Sequence, residues 1–350
     1  MPERANGKTL SPTARLAIDH AVQRLLDGGL VAFPTETVYG LGADAETPKA
    51  IQKIYAAKGR PSTHPLIVHV GPEADLAYWT TRLSGHARAL ADAFWPGPLT
   101  LILPRASHIP DAVSGGQQTL GLRCPSHPVA QALLTGFATR RPGGHGGVAA
   151  PSANKFGQVS PTHADHVRAE FPELLPDELM VLEGGPADVG IESTIVDVSG
   201  TDSDFVPVLL RPGHITAQQL AQVLGTLPGS PRAESPQVSG SLKAHYAPRT
   251  PLRVLPRPLL DSAIDQAPEG CRVAAVVFDT AKQQQGRQDV DYLLCHGSPQ
   301  AYARDLYAQL RRLDHQGYDL LLFELPPRTA AWAAIHDRLG RAAAAFQQSL

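Results

Sequence analysis

Two basic residues spaced two apart, Lys58 and Arg60, follow the run Phe33-Pro34-Thr35-Glu36-Thr37-Val38-Tyr39-Gly40-Leu41-Gly42 and precede Pro65-Leu66-Ile67-Val68-His69. Lysine offers a compact point charge and arginine a planar fork of donors, a combination that suits phosphate oxygens. Polar residues just beyond a strand commonly line a site, because the chain leaves the core there and side chains become accessible. Each residue alone also has a structural reading. Thr35 and Thr37 could satisfy the backbone donors of a turn, Lys58 could complement a helix C-terminus, and His69 could be a hydrogen-bonded strand histidine. In combination they form a candidate apparatus for a nucleotide. Two further stretches extend it: Thr119-Leu120-Gly121-Leu122-Arg123-Cys124-Pro125, and Ala149-Ala150-Pro151-Ser152-Ala153-Asn154 continuing to Gly157 and Ser160-Pro161-Thr162.

The commoner nucleotide and metal signatures are missing. Gly7-Lys8-Thr9 ends like a phosphate loop, but Pro2 stands where the first glycine belongs and no strand precedes it. No glycine-rich dinucleotide fingerprint follows a predicted strand, and no two histidines sit at zinc-binding helical spacing. Cys124, Cys271 and Cys295 are scattered without metal-ligand spacing, so they read as reduced, structural thiols.

The elements that must hold these residues alternate between helix and strand. Ser11 and Pro12 make an N-cap and first turn, Leu16, Val22, Leu25 and Leu26 supply an apolar face, and Gly28-Gly29 stops that helix. Leu30-Val31-Ala32-Phe33 reads as a buried strand ending at Pro34. Thr47-Pro48 opens a second helix with Ile51, Ile54 and Tyr55 inward, closed by Gly59 and Pro61. Lys58 then falls on its last turn and Arg60 just beyond. Further strands are predicted at 66–70, 99–103, 119–123, 180–182, 194–198 and 206–210.

These signals make residues 1–224 one α/β domain. Between about 225 and 240 the composition turns to Pro, Gly, Ser and Gln, which predicts a linker over 225–249. Signals resume in a smaller unit, 250–350: a strand at 273–278, a helix from Ser298-Pro299 with Tyr302, Leu306, Leu310 and Leu313 inward, a strand at 319–325, and a helix around Trp332, Ile335 and Leu339. That pattern reads as an open, Rossmann-like α/β sheet with helical crossovers. The glycine-rich segment 139–147 reads as a surface loop, with His145 solvated.

With 350 residues, 43% of them hydrophobic and 18% charged, the chain fits about two globular domains. No apolar stretch approaches the roughly 20 residues that cross a bilayer, and the short polar start lacks the marks of an export signal, so no membrane association and a cytoplasmic location are expected. The formal net charge is −2, without the basic excess of a protein that grips nucleic acid mainly through phosphates. Only seven of the 31 basic residues are lysines, and three of those fall between Lys49 and Lys58.

Lys58-x-Arg60 and Ser152-x-Asn154, with Pro34-Thr35-x-Thr37-Val38-Tyr39-Gly40 between the strands, resemble the YrdC-type threonylcarbamoyl-AMP synthases in their longer form with an added C-terminal domain. The resemblance continues through Ile191-Glu192-Ser193-Thr194-Ile195-Val196-Asp197, Leu210-Arg211-Pro212-Gly213 and Lys243-Ala244-His245-Tyr246-Ala247-Pro248, and so spans nearly the whole chain. It implies a twisted mixed-sheet domain with a concave cavity, and a nucleotidyltransferase that makes threonylcarbamoyl-AMP from L-threonine, bicarbonate or CO2, and ATP for tRNA modification. The family pattern implies Lys58 and Arg60 as catalytic charges. It places His64, Thr119, Ser152, Asn154, Ser160, Arg211 and Tyr246 with them around ATP, and Thr35, Thr37, His69, Arg123, Ala150 and Ser193 around threonine. Arg123 is the implied partner of the amino-acid carboxylate. Mg²⁺ is expected to arrive with ATP, held mainly by phosphates and water, with no metal site built from protein ligands. Implied partners are downstream threonylcarbamoyl transferase proteins and a weak tRNA contact. By the same resemblance the linker folds over the cavity and Tyr246 reaches the nucleotide.

Two other classes are disfavoured. A non-catalytic RNA-binding module would need basic excess and surface aromatics that this chain lacks. A carbamoyl-phosphate-using transferase of the hydrogenase-maturation type would carry zinc-finger and acylphosphatase-like segments, which the sequence does not contain.

Overall fold

Leu30–Phe33 (β1) is apolar and buried at every position, the pattern of a strand covered on both faces. In the computed structural model, which describes residues 10–201, 205–279 and 288–347, it lies near one edge of a mixed sheet. The other strands are Gly40–Asp44 (β2), Ile67–His69 (β3), Leu99–Pro104 (β4), Thr119–Arg123 (β5), Val148–Ala149 (β6), Leu179–Val181 (β7), Thr194–Asp197 (β8) and Val208–Arg211 (β9). Among the described residues their order is β7-β1-β2-β6-β3-β5-β4-β8-β9. β3 runs parallel to β5 with His69 beside Arg123, whereas the two-residue β6 is antiparallel to both β2 and β3. The expected mixed sheet is therefore present. The phosphate-loop-like Gly7-Lys8-Thr9 lies outside the described residues.

The two N-terminal helices form as the sequence dictates. Pro12–Leu26 is capped by the Ser11 hydroxyl, which accepts from the Ala14 amide at 3.1 Å. It packs Ile18, Val22 and Leu25 against Val129, Leu133 and Phe137 of the helix Pro128–Arg140. Pro48–Lys58 ends at Gly59, whose left-handed φ of 59° turns the chain out of the helix. Lys58 is thus held on a rigid last turn, and Arg60 starts the next segment.

Three local expectations are corrected. Strands β2 and β6 were hidden because one is interrupted by Gly42 and the other has only two residues. A Cβ at Gly42 would meet Phe33 and Val148 side-chain carbons at 2.8 Å, so close strand packing demands glycine there. The strand predicted at 206–210 begins instead at Val208, and Val206 is exposed. His145 is half-buried and not free in solvent: its ring stacks on Tyr78 with centroids 4.1 Å apart, while Arg141 in the same loop pairs with Asp44 at 3.2 Å and Glu46 at 2.9 Å.

Two compact units divide the chain. The first runs to Phe156 and resumes over Ser160–Ser241; the second takes Gly157–Val159 and the chain from Leu242 onward. Within the second, Leu252–Leu255 (β10), Val273–Val277 (β11), Val290–Leu294 (β12) and Leu320–Glu324 (β13) form an all-parallel sheet in the order β10-β13-β11-β12. Helices Arg257–Gln266, Pro299–Asp314 and Ala333–Ala344 accompany it, as an open α/β sheet requires. The segment read as a linker is split by this division, since residues 225–241 fold with the first unit.

Candidate active site

The ammonium of Lys58 is buried and donates to two backbone carbonyls, Ser152 O at 2.7 Å and Asn154 O. The backbone adds a second tie, because the Phe156 amide donates to Lys58 O at 2.8 Å. Burial first, and the charge of Arg60 second, push the Lys58 amine well below its ordinary basicity. The carbonyls counter this by favouring the charged form. Lys58 therefore does more than complement a helix end. It fixes the loop that carries Ser152, which is half-buried, and Asn154, whose amide nitrogen donates to Lys155 O at 2.7 Å.

Two arginines converge on a residue that motif reading passed over. Arg60 lies over the Phe156 ring, 5.6 Å from its centroid, and donates to Pro65 O at 2.9 Å and to Ser239 Oγ at 3.4 Å. Arg211 leaves the end of β9 and grips Ser193: Nε and Nη2 donate to its carbonyl at 3.1 and 2.9 Å, and Nη2 to its hydroxyl at 3.1 Å. Its Nη1 reaches Ser239 O at 2.8 Å. Gly213 makes this return possible, since a Cβ there would stand 2.4 Å from the Thr194 amide nitrogen. Ser193 also shares a 2.7 Å hydrogen bond with Thr100, on the neighbouring strand β4.

Arg123, at the end of β5, pairs with Glu36 at 2.7 Å, both side chains being buried. The second Glu36 oxygen accepts from the Ser126 amide at 3.0 Å. His69 stands beside Arg123 in the register, its Nδ1 3.3 Å from Ile67 O and its ring edge-on to Phe33. Burial and the Arg123 charge push its pKa down to about 3, so the imidazole is neutral at ordinary pH. Thr35 proves to be the turn organiser of this corner, its Oγ accepting from the Thr37 and Val38 amides at 3.2 Å each. The Thr37 hydroxyl lies 2.8 Å from it.

The remaining candidates each have partners of their own. The His64 ring meets Phe156 edge-on at 5.3 Å. The Ala150 amide donates to Ile67 O at 2.9 Å, and Ser160 donates to the buried Glu192 at 2.6 Å. Thr119 lines a narrow cleft with Ile67, Ile102, Ile195 and the segment Gln237-Val238-Ser239. Val238 fills the apolar floor of that cleft against Ile67, Ile102, Ile195 and Leu210, and Gln237 and Gln117 exchange amide bonds of 2.9 and 3.1 Å. Tyr246 belongs to the second unit, where its buried ring packs 5.6 Å from Tyr307 and lies under the Arg338 guanidinium at 5.3 Å. A separate cleft of about 1010 Å³, lined by Arg24, Lys53, Lys155 and Glu173 among others, has its cations engaged already: Lys53 donates to Gly28 O at 2.7 Å, and Lys155 pairs with Glu173.

Sequence reading undervalued Glu36 and Glu192 and missed Thr100 and Ser239. The first two sat inside recognised motifs as acidic neighbours of more telling residues. Ser239 carried no signal, because its contacts are made through a linker of low-information composition.

Fold and side chains together define a two-unit α/β protein whose larger unit gathers Lys58, Arg60, Arg123 and Arg211, all buried, among hydroxyls. A family model described as Telomere recombination, the Sua5/YciO/YrdC type, matches residues 23–213, and one described as Threonylcarbamoyl-AMP synthase, C-terminal domain, matches 215–344. The Threonylcarbamoyl-AMP synthase of Bacillus subtilis is 38% identical over 93% of this chain and 92% of its own, and that of Pyrococcus abyssi 34% identical over 90% and 91%. The crystal structure of Pyrococcus abyssi Sua5 complexed with L-threonine superposes with a TM-score of 0.81 at 32% identity, covering 94% of each chain. The chain belongs to the threonylcarbamoyl-AMP synthase family.

Proposed function

We propose that this chain is an L-threonylcarbamoyladenylate synthase, converting L-threonine, bicarbonate or CO2, and ATP into threonylcarbamoyl-AMP and pyrophosphate for the modification of an adenosine in tRNA. The observation that carries this reading is the convergence of Arg60 and Arg211 on Ser239 in the same unit as the buried Arg123, Glu36 and His69 group. One cluster suits phosphates and the other an amino-acid carboxylate. In the reaction, the threonine amine loses a proton and adds to CO2 as a carbamate. A carbamate oxygen then attacks the α-phosphorus of ATP, and the bond to the β-phosphate oxygen breaks to release pyrophosphate.

Several anionic groups crowd together along this path, so fixed cations in a partly dry site supply the main stabilisation. Arg60 and Arg211 serve the phosphates. Lys58, with two of its three donors committed to carbonyls, holds Ser152 and Asn154 in place and offers its remaining N–H to a phosphate oxygen. Arg123 takes the threonine carboxylate. His69, neutral, serves as a hydrogen-bonding wall and not as a cation, with Thr37 and Ser193 supplying hydroxyls beside it. Mg²⁺ would arrive with ATP, held mainly by phosphate oxygens and water. No helix among the described residues is long and apolar enough to cross a membrane. Handing the product to a threonylcarbamoyl transferase, with a weak tRNA contact, completes the proposed role. Pyrophosphate release from ATP is the decisive assay: it should require both threonine and bicarbonate, and release indifferent to threonine would refute the reading.

A further inference from the structure

Glu36 holds Arg123 in a way that leaves one specific donor open. The turn organised by Thr35 fixes its backbone, and Glu36 O accepts from the Val189 amide at 2.7 Å. From that anchored position Oε1 takes Arg123 Nη2 at 2.7 Å, and Oε2 takes the Ser126 amide at 3.0 Å. One carboxylate thus restrains both the arginine's tip and the chain just after it. Arg123 Nε, by contrast, is buried without a hydrogen-bond partner among the described residues. A guanidinium N–H left so carries a desolvation cost that a ligand oxygen would relieve.

We propose that Glu36 is a positioning residue for threonine: by engaging Arg123 at a terminal nitrogen, it turns the Nε side of the guanidinium toward the substrate carboxylate. This rests on the assignment of Arg123 to that carboxylate. Positioning depends on the reach of the side chain, whereas a purely electrostatic or proton-accepting role depends on its charge. Two conservative variants separate these. Glu36→Gln keeps the length and an oxygen for Arg123 but loses the charge and the acceptor for the Ser126 amide; Glu36→Asp keeps the charge and is one methylene too short to span Arg123 and Ser126.

The test is the KM for threonine and for ATP in both variants, with Arg123→Ala as a control. Glu36→Gln should raise the threonine KM severalfold, while Glu36→Asp should raise it further, about tenfold or more, with the ATP KM unchanged in both. The reverse ranking would overturn positioning in favour of charge. Equal rises in both KM values would reduce Glu36 to a structural residue, and two unaltered variants would remove it from the site. If Arg123→Ala itself left the threonine KM unchanged, the carboxylate assignment would fail, and this inference with it.

Discussion

Lys58 Nζ lies 2.7 Å from the carbonyl oxygen of Ser152, so the two signature pairs, separated by 94 positions in the chain, are one hydrogen-bonded object. The lysine at the end of a helix is the peg on which the Ser152-Ala153-Asn154 loop hangs.

Replacing Lys58 should therefore damage structure and turnover together. Lys58→Ala leaves two carbonyls without their donor, at a cost of roughly 1–3 kcal/mol for each buried group. Turnover should fall by about a hundredfold or more through lost charge and a displaced loop. Thermal unfolding and pyrophosphate release, measured on the same preparation, check both. Turnover near that of the parent would detach Lys58 from the chemistry.

Arg123 and Glu36 should be energetically coupled. Arg123→Ala strands a buried carboxylate and should destabilise the protein by about 3–5 kcal/mol. Removing Glu36 as well should recover much of that loss, which denaturant unfolding of the single and double variants can read. In the single variant the threonine KM should rise far more than the ATP KM.

The neutral state of His69 predicts a pH signature. Its folded pKa of about 3 lies below the ordinary 6.5, so the unfolded chain binds the extra proton first. The stability linked to His69 is complete above 6.5 and drains away as the pH falls from there toward 3. Acid unfolding curves should show a shallower decline in His69→Gln. Between pH 7 and 9 no titration of His69 should appear in the threonine KM.

Val238 anchors residues 237–239 on the apolar floor beside Thr119. Val238→Ser should loosen that segment, raising the rate of proteolytic nicking between 228 and 241 severalfold and altering the ATP KM. A cleavage rate equal to that of the parent would show that Gln117 and Arg211 hold the segment without it.

Discrimination among amino acids should be uneven. Valine presents no hydroxyl to a site built to bond one, whereas serine differs only by a methyl worth about 1–3 kcal/mol. The ratio of kcat/KM for threonine over serine should then lie between about 10 and 200. A larger ratio would point to active rejection of serine.

Beside motif pairs that resemble those of a known family, the sequence by itself determined local pieces: the helix that ends at Gly59 and presents Lys58, the buried run Leu30–Phe33, and the C-terminal strands near 273–278 and 319–325. Each follows from periodicity, caps and turn residues within a few positions. Tertiary structure alone decided which pieces meet. Arg123 finds Glu36 across 87 positions because β5 and the turn after β1 belong to one sheet. Arg211 reaches Ser193 and Ser239 because β9 returns beside β8 and the polar segment 237–239 lies against the sheet. The ring of Tyr246, which the family resemblance places at the nucleotide, is buried beside Tyr307 and Arg338 of its own unit. Contacts of this kind depend on strand order and on the burial of one chosen side chain among several of like chemistry, and local patterns carry neither.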